Sequence, residues 1–220
     1  MDAGDVLRAE YLLLMSAVTS SWTASIARTT LLLGVMSAVI VALGLVAQGS
    51  GFEGDFYVFA AILLPIALFL GLATFVRQVQ LQRETVVYIT GLNRIRHALQ
   101  LSAPETRPYF VLPAHDDEFG IYRGLGSGMV RGRPRSMLLY VLVQAHGIVS
   151  VIDAAVAGAV AAIVAAWFGG PLAIIVGAGA AAFVVVLVLH LWYWRAQMRE
   201  VFTAIKPLNP TPPDEVDAPF

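Results

Sequence analysis

His146, Ser150 and Asp153 follow one another at steps of four and three, which sets an imidazole, a hydroxyl and a carboxylate on one face of a helix. They sit in AHGIVSVIDAAVAGAVAAIVAAW, Ala145 to Trp167, a stretch otherwise suited to lipid. A second imidazole, His190, lies eighteen residues beyond Leu172 in the next apolar run, within about a turn of the same depth. With Phe168 at the outer boundary, Asp153 is fifteen residues in, or about 22 Å at 1.5 Å per residue. In a hydrocarbon core about 30 Å thick, that leaves it one to two turns from the cytoplasmic surface.

A charge at that depth is costly and faces protein or water, which makes it a functional hypothesis by default. Asp153 then has three readings. It is a proton-binding group, partnered by His146 and His190, that couples protonation to helix movement or to passage of an ion. It is a hydrogen-bonding link between helices, a contact worth on average about 0.6 kcal/mol. Or it snorkels to the inner interface.

A second cluster, His115, Asp116, Asp117 and Glu118, carries oxygen and nitrogen ligand types for a divalent cation. Consecutive residues point in different directions, however, and EF-hand spacing is absent, so a solvated loop or helix start is the plainer expectation. The segment GLGSGMVRGRPR, Gly124 to Arg135, is rich in glycine but lacks the Gly-Lys-Ser/Thr ending of a phosphate-binding loop. Its arginines Arg131, Arg133 and Arg135, with Arg123 just before, offer contacts to anionic lipid headgroups at roughly 1 kcal/mol per charge. The plainer alternative is a flexible basic linker that fixes topology.

The elements that position these groups follow from composition. Of 220 residues, 58% are hydrophobic and 13% charged, with a mean hydropathy of +0.75. Soluble domains are about 45–50% apolar, so this is the balance of an integral membrane protein. Cysteine is absent, which excludes disulfides, thiolate metal sites and cysteine nucleophiles. No HExxH, nucleotide fingerprint or nucleophile elbow occurs, and in GLGSGM the glycine expected two before Ser127 is Leu125. No catalytic residue, enzyme activity, cofactor or nucleic-acid partner is expected.

Four apolar runs are long enough to cross a bilayer: Thr29 to Ala47, Phe56 to Val76, one within Met137 to Phe168, and Leu172 to Trp194. Pro65 sits near the middle of the second, and Phe168–Gly169–Gly170–Pro171 breaks the last two apart. Nine arginines fall between Arg77 and Ser136, whereas the two other connections carry no Lys or Arg. The positive-inside rule then puts the middle segment and both termini in the cytoplasm, with Trp192, Tyr193 and Trp194 as an interfacial belt. The start, MDAGDV, is acidic where a secretory leader is basic, so the first span is expected to be its own insertion signal.

Three cytoplasmic parts remain. Leu7, Tyr11, Met15, Val18 and Trp22 form an apolar stripe, read as an amphipathic helix on the inner leaflet or a helical extension of the first span. Leu81, Thr85, Tyr88, Leu92, Ile95 and Leu99 alternate steps of four and three. That short heptad-like seam pairs protomers or docks within the chain. The tail KPLNPTPPDEVDAPF, with five prolines and three acidic residues in fifteen positions, is expected to be disordered. Within the spans, Ala154, Gly158, Ala162 and Ala166 fall on one stripe of the third and Gly177, Gly179, Ala181 and Ala182 thin the fourth, which favours close helix packing or simply reflects how common alanine is in this chain.

The run YITGLNRIRHALQLSAPETRPYF, Tyr88 to Phe110, followed by HDD at His115 to Asp117, resembles segments of uncharacterised multi-span membrane proteins of high-GC, actinobacterial-type bacteria. The likeness covers under a fifth of the chain and implies no activity. The order of inner-leaflet helix, two spans and cytoplasmic helix is also similar to membrane modules of bacterial effector systems, which implies assembly into pores. The second pair of spans departs from that pattern.

The sequence therefore predicts an all-α, polytopic inner-membrane protein with four spans in two hairpins and a helical cytoplasmic segment. The expected parts are an amphipathic helix (1–27), a first hairpin (28–76), a cytoplasmic segment with its Arg/Gly linker (77–136), a second hairpin (137–195), and a helix end with a disordered tail (196–220). The expected role is a non-enzymatic membrane component that associates with itself or a protein partner through Leu81, Tyr88, Leu92, Ile95 and Leu99, and with anionic lipid through its arginines. The alternative is an oligomeric channel, pore or proton-coupled carrier using Asp153 with His146, Ser150 and His190.

Overall fold

The computed structural model describes residues 2–52, 54–125 and 141–213. Every regular element among them is helical. Helix α1 spans Ala3–Ser50 and α2 spans Gly54–Ser102; a 3₁₀ turn, Pro104–Tyr109, and the short α3, Glu118–Gly124, follow. Helix α4 covers Ala145–Trp167 and α5 covers Leu172–Ala204. Four of them (α1, α2, α4 and α5) are long and apolar enough to cross a membrane.

At two of the expected boundaries, 27/28 and 76/77, the helix runs on without a break, although the two compact units divide within three residues of each, at 24/25 and 79/80. The amphipathic segment is the start of α1, with no break before the first apolar run. The expected cytoplasmic helix is likewise the second half of α2, which passes through Pro65 uninterrupted. Nothing between Val76 and Leu81 stops a helix, because Arg77, Gln78 and Gln80 are good helix formers whose backbone pairs as well in water as in lipid.

The chain divides into two compact units. The apolar one comprises Ser25–Val79 and Val141–Arg195. Its core is Phe56, Ala60 and Leu64 of α2, packed on Val39, Leu43 and Val46 of α1 and on Val156, Val160 and Ile163 of α4. Gln78 ties α2 to α1: its amide nitrogen donates to Ser25 O and Thr29 Oγ1, and its oxygen accepts from Ser25 Oγ at 2.6 Å. Gly51 and Phe52 both adopt left-handed backbone, φ 66° and 63°, at the end of α1. For Phe52 that costs of order 1 kcal/mol, offset where its ring meets Phe56 edge-on at 5.0 Å. Gly158 of α4 and Gly179 of α5 pack so closely that a Cβ on Gly158 would lie 2.9 Å from Gly179 O. The expected small-residue packing occurs there, whereas Gly177 faces open space.

The other unit comprises Met1–Ala24, Gln80–Tyr140 and Ala196–Phe220. Here α1 presents Leu7, Tyr11, Leu14, Val18 and Ser21 inward, at steps of four and three. Met15 and Trp22, expected on that stripe, are exposed instead, because the packed face is fixed by Leu14 seated against Gly91 of α2. Leu81, Leu92 and Ile95 are only 5, 2 and 6% exposed, and Tyr88 and Leu99 are half-buried. The seam is thus covered within one chain. Arg83 joins α2 to the end of α5 through Gln197 and a forked pair with Glu200 at 3.3 and 3.4 Å.

Candidate functional site

In the apolar unit, the carboxylate of Asp153 is fully buried and His190 reaches it from α5, with Nε2 3.1 Å from Oδ2. Helical phase brings this about. Asp153 lies on the face of α4 that buries His146, Val149, Ser150, Ala154 and Ala157, and His190 lies on a stretch of α5, His190 to Trp194, that packs rings against α2 and α4. The other imidazole nitrogen, Nδ1, is 2.9 Å from the carbonyl of Val186 one turn earlier. A carbonyl only accepts, so Nδ1 carries a hydrogen and donates it.

Helix α2 closes the site. Gly71 lies directly against the Asp153 carboxylate, where even a methyl group would overlap it. One turn on, the ring of Phe75 covers His190 at 4.1 Å between centroids. Toward the start of α4, His146 is 4% exposed and stacked on Trp194, rings 5.2 Å apart and 8° from parallel. Ser150 Oγ donates to the His146 carbonyl at 2.7 Å, the ordinary i−4 bond of a helical serine. Two polar atoms, Asp153 Oδ1 and His146 Nε2, are buried with no hydrogen-bond partner among the described residues. Buried polar groups are rarely left so, and those that are call for an explanation in function or strain.

Of the four residues expected to act together, Asp153 and His190 are in contact. His146 and Ser150 share the face of α4 without touching the carboxylate in any hydrogen bond. Gly71 and Phe75 were not anticipated, although a glycine followed four residues later by an aromatic ring in an apolar helix is the pattern of a close approach beside a packed cover. Trp194 was expected at the bilayer interface, yet it is 8% exposed and covers His146, while Trp192 stays 67% exposed.

The second cluster is tied into the fold by hydrogen bonds. Among the described residues no group of three or more His, Cys, Asp or Glu side chains is arranged to bind one. Asp116 instead spends both oxygens on the segment after α5: they accept from Leu208 N at 2.9 and 3.0 Å, Asn209 N at 2.8 Å and Arg94 Nε at 2.7 Å. Asp117 caps α3 through Gly120 N and holds Thr211 by backbone and hydroxyl. His115 takes part with its backbone oxygen, which accepts from Asn93, and with Nδ1 beside the Asn209 amide. Glu118 opens α3. Consequently residues 206–211, expected in a disordered tail, form an ordered strap. A proline-rich stretch buries little itself, but backbone N–H groups suffice when a buried carboxylate is aimed at them. Arg123 lies in the last turn of α3, and Arg131, Arg133 and Arg135 lie outside the described residues.

No family model matches the chain, and no characterised protein or solved structure matches it either.

Two outcomes are expected. Gly71→Ala should force the Asp153 carboxylate off His190 and destabilise the protein by about 1–3 kcal/mol. The double variant Gly71→Ala/Asp153→Ala should recover part of that loss in a thermal-denaturation cycle, and strict additivity would refute the contact. For Asp116, burial alone would push the carboxyl up, but the Leu208 and Asn209 amides and the Arg94 guanidinium together hold it below its ordinary value of 3.8. A carboxyl lowered on folding contributes stability above its unfolded value and loses it as pH falls through the folded one. The strap should therefore keep its full contribution above pH 3.8 and release only as pH falls further, through the lower folded value, seen as loss of the native Leu208 and Asn209 amide resonances.

Proposed function

We propose that this chain is a multi-pass protein of the bacterial cytoplasmic membrane, with both termini inside and its four spans in two hairpins, that binds an ion at Asp153 and couples its binding to transport. It is a small channel or carrier rather than an enzyme. The observation that carries this reading is the Asp153–His190 contact: a fully buried carboxylate met by one imidazole, with an oxygen left over and a second imidazole nitrogen unpaired on the same helix. Interhelical glue needs no leftover polar atoms, and a spare carboxylate oxygen at lipid depth is costly unless something visits it. The membrane setting is supported by the spans themselves, since nothing in the most apolar window of α5 is buried inside the chain. Such surface needs lipid or further copies, and four spans are few to enclose a path alone, so the working form is an oligomer. Anionic lipid held by the arginines after α3 belongs to the same reading.

A second reading, a scaffold for a protein partner, has its own support. The seam expected to serve it is covered, but the end of the 3₁₀ turn and the stretch after it show Tyr109, Val111 and Leu112 at 82, 94 and 45% exposure. Exposed neighbouring apolar side chains of this kind mark interaction surfaces. Replacing Tyr109 and Val111 by Ser should abolish cross-linking to a partner in native membranes while leaving thermal stability unchanged; unaltered cross-linking sinks this reading.

The main reading predicts cation or proton flux in liposomes under an imposed gradient, reduced at least tenfold in Asp153→Asn with oligomeric state unchanged. An Asn at 153 can donate its amide hydrogen to His190 Nε2, so the interhelical contact survives the change. Equal flux in both proteins, or none in the wild type, removes the reading.

A further inference from the structure

We infer that the ion taken at Asp153 is a single proton, shared between Asp153 Oδ2 and His190 Nε2. The inference rests on the reading of this site as an ion-binding one, and it follows from counting hydrogens. His190 Nδ1 faces the Val186 carbonyl at 2.9 Å and must carry a hydrogen there. In a neutral imidazole the other nitrogen, Nε2, is then a bare lone pair. That lone pair lies 3.1 Å from Asp153 Oδ2, and an ionised carboxylate has only lone pairs to offer. Two acceptors at that distance repel. The contact becomes attractive when one further proton lies between them, as carboxylic acid with imidazole or as carboxylate with imidazolium.

Both forms of the proton-loaded pair have no net charge, whereas the unloaded pair carries a full negative charge. The loaded state is the one that suits an apolar surrounding. Moving the imidazole hydrogen to Nε2 does not rescue the unloaded pair, because Nδ1 would then turn its own lone pair on the Val186 carbonyl. Among the described residues, Asp153 and His190 have no further hydrogen bond or ion pair to absorb that charge.

The surroundings favour a proton over a metal cation. Hard cations take six or more oxygens, whereas α2 presents Gly71 and the ring of Phe75 here, and α5 presents His190. On α5 the phenol ring of Tyr193 packs on Phe75 beside the pair, and on α4 a further titratable group is His146, stacked on Trp194 of α5 with Nε2 unpaired among the described residues. His146 lies seven residues toward the start of α4, about 10 Å along the axis from the pair.

Proton binding is read directly by infrared difference spectroscopy of the wild type and Asp153→Asn in phosphatidylglycerol/phosphatidylethanolamine vesicles, stepped in pH in potassium, sodium and choline buffers. One carboxyl or imidazolium band should titrate with a one-proton profile, keep its midpoint in all three salts, and vanish in Asp153→Asn. A midpoint that moves with sodium or potassium concentration would overturn the proton assignment and identify a metal-cation site, with the ion-binding reading intact. Absence of any titrating band in the wild type would overturn it in favour of a fixed interhelical contact. A one-proton titration without flux in the liposome assay would leave the proton assignment standing and remove the transport reading.

Discussion

A carboxylate sealed from water has to be neutralised, and the apolar unit is arranged around that requirement. Asp153 costs several kcal/mol if it is buried as a bare charge. Its neighbours answer that cost with one imidazole, placed by α5 and covered by Phe75, and with a glycine on α2 that lets the carboxylate lie against backbone. The close packing of α4 and α5 at Gly158 and Gly179 belongs to the same arrangement. On the proposal made above the pair is balanced by one proton, a quantity that changes with conditions, and so it can serve as a switch where a fixed salt bridge could not.

The other unit solves the same problem with fixed donors. Asp116 is as buried as Asp153, yet two backbone amides and a guanidinium supply permanent positive character, so the group stays ionised at any ordinary pH. The two aspartates illustrate how surroundings, not residue type, assign a role. One carboxylate surrounded by N–H donors builds structure, and one facing an imidazole is the site proposed here for a proton.

Continuous helices are the physical background to both. A helix satisfies its backbone internally in lipid and in water alike, so α1 and α2 continue past the ends of their apolar runs without a break. That is why the amphipathic segment and the heptad-like segment were each legible as helices, while of the two readings open for the first, the extension of the first span is supported only once the whole helix is seen: periodicity reports a face, and a change of face does not end a helix.

The sequence by itself determined what depends on local spacing: four helices with the length and apolarity of spans, the shared face of His146, Ser150 and Asp153, and the common depth of His190. Period and rise are properties of one helix, so they can be read without a partner. Only the tertiary structure decided which imidazole meets Asp153, that Gly71 and Phe75 close the site, and that Trp194 covers a histidine instead of facing the interface. It also turned Asp116 and Asp117 from apparent metal ligands into the clasp of a strap more than ninety residues away in sequence. Each of those is a pairing between distant segments, set by the rotation and approach of packed helices, and nothing in the local pattern of either partner encodes it.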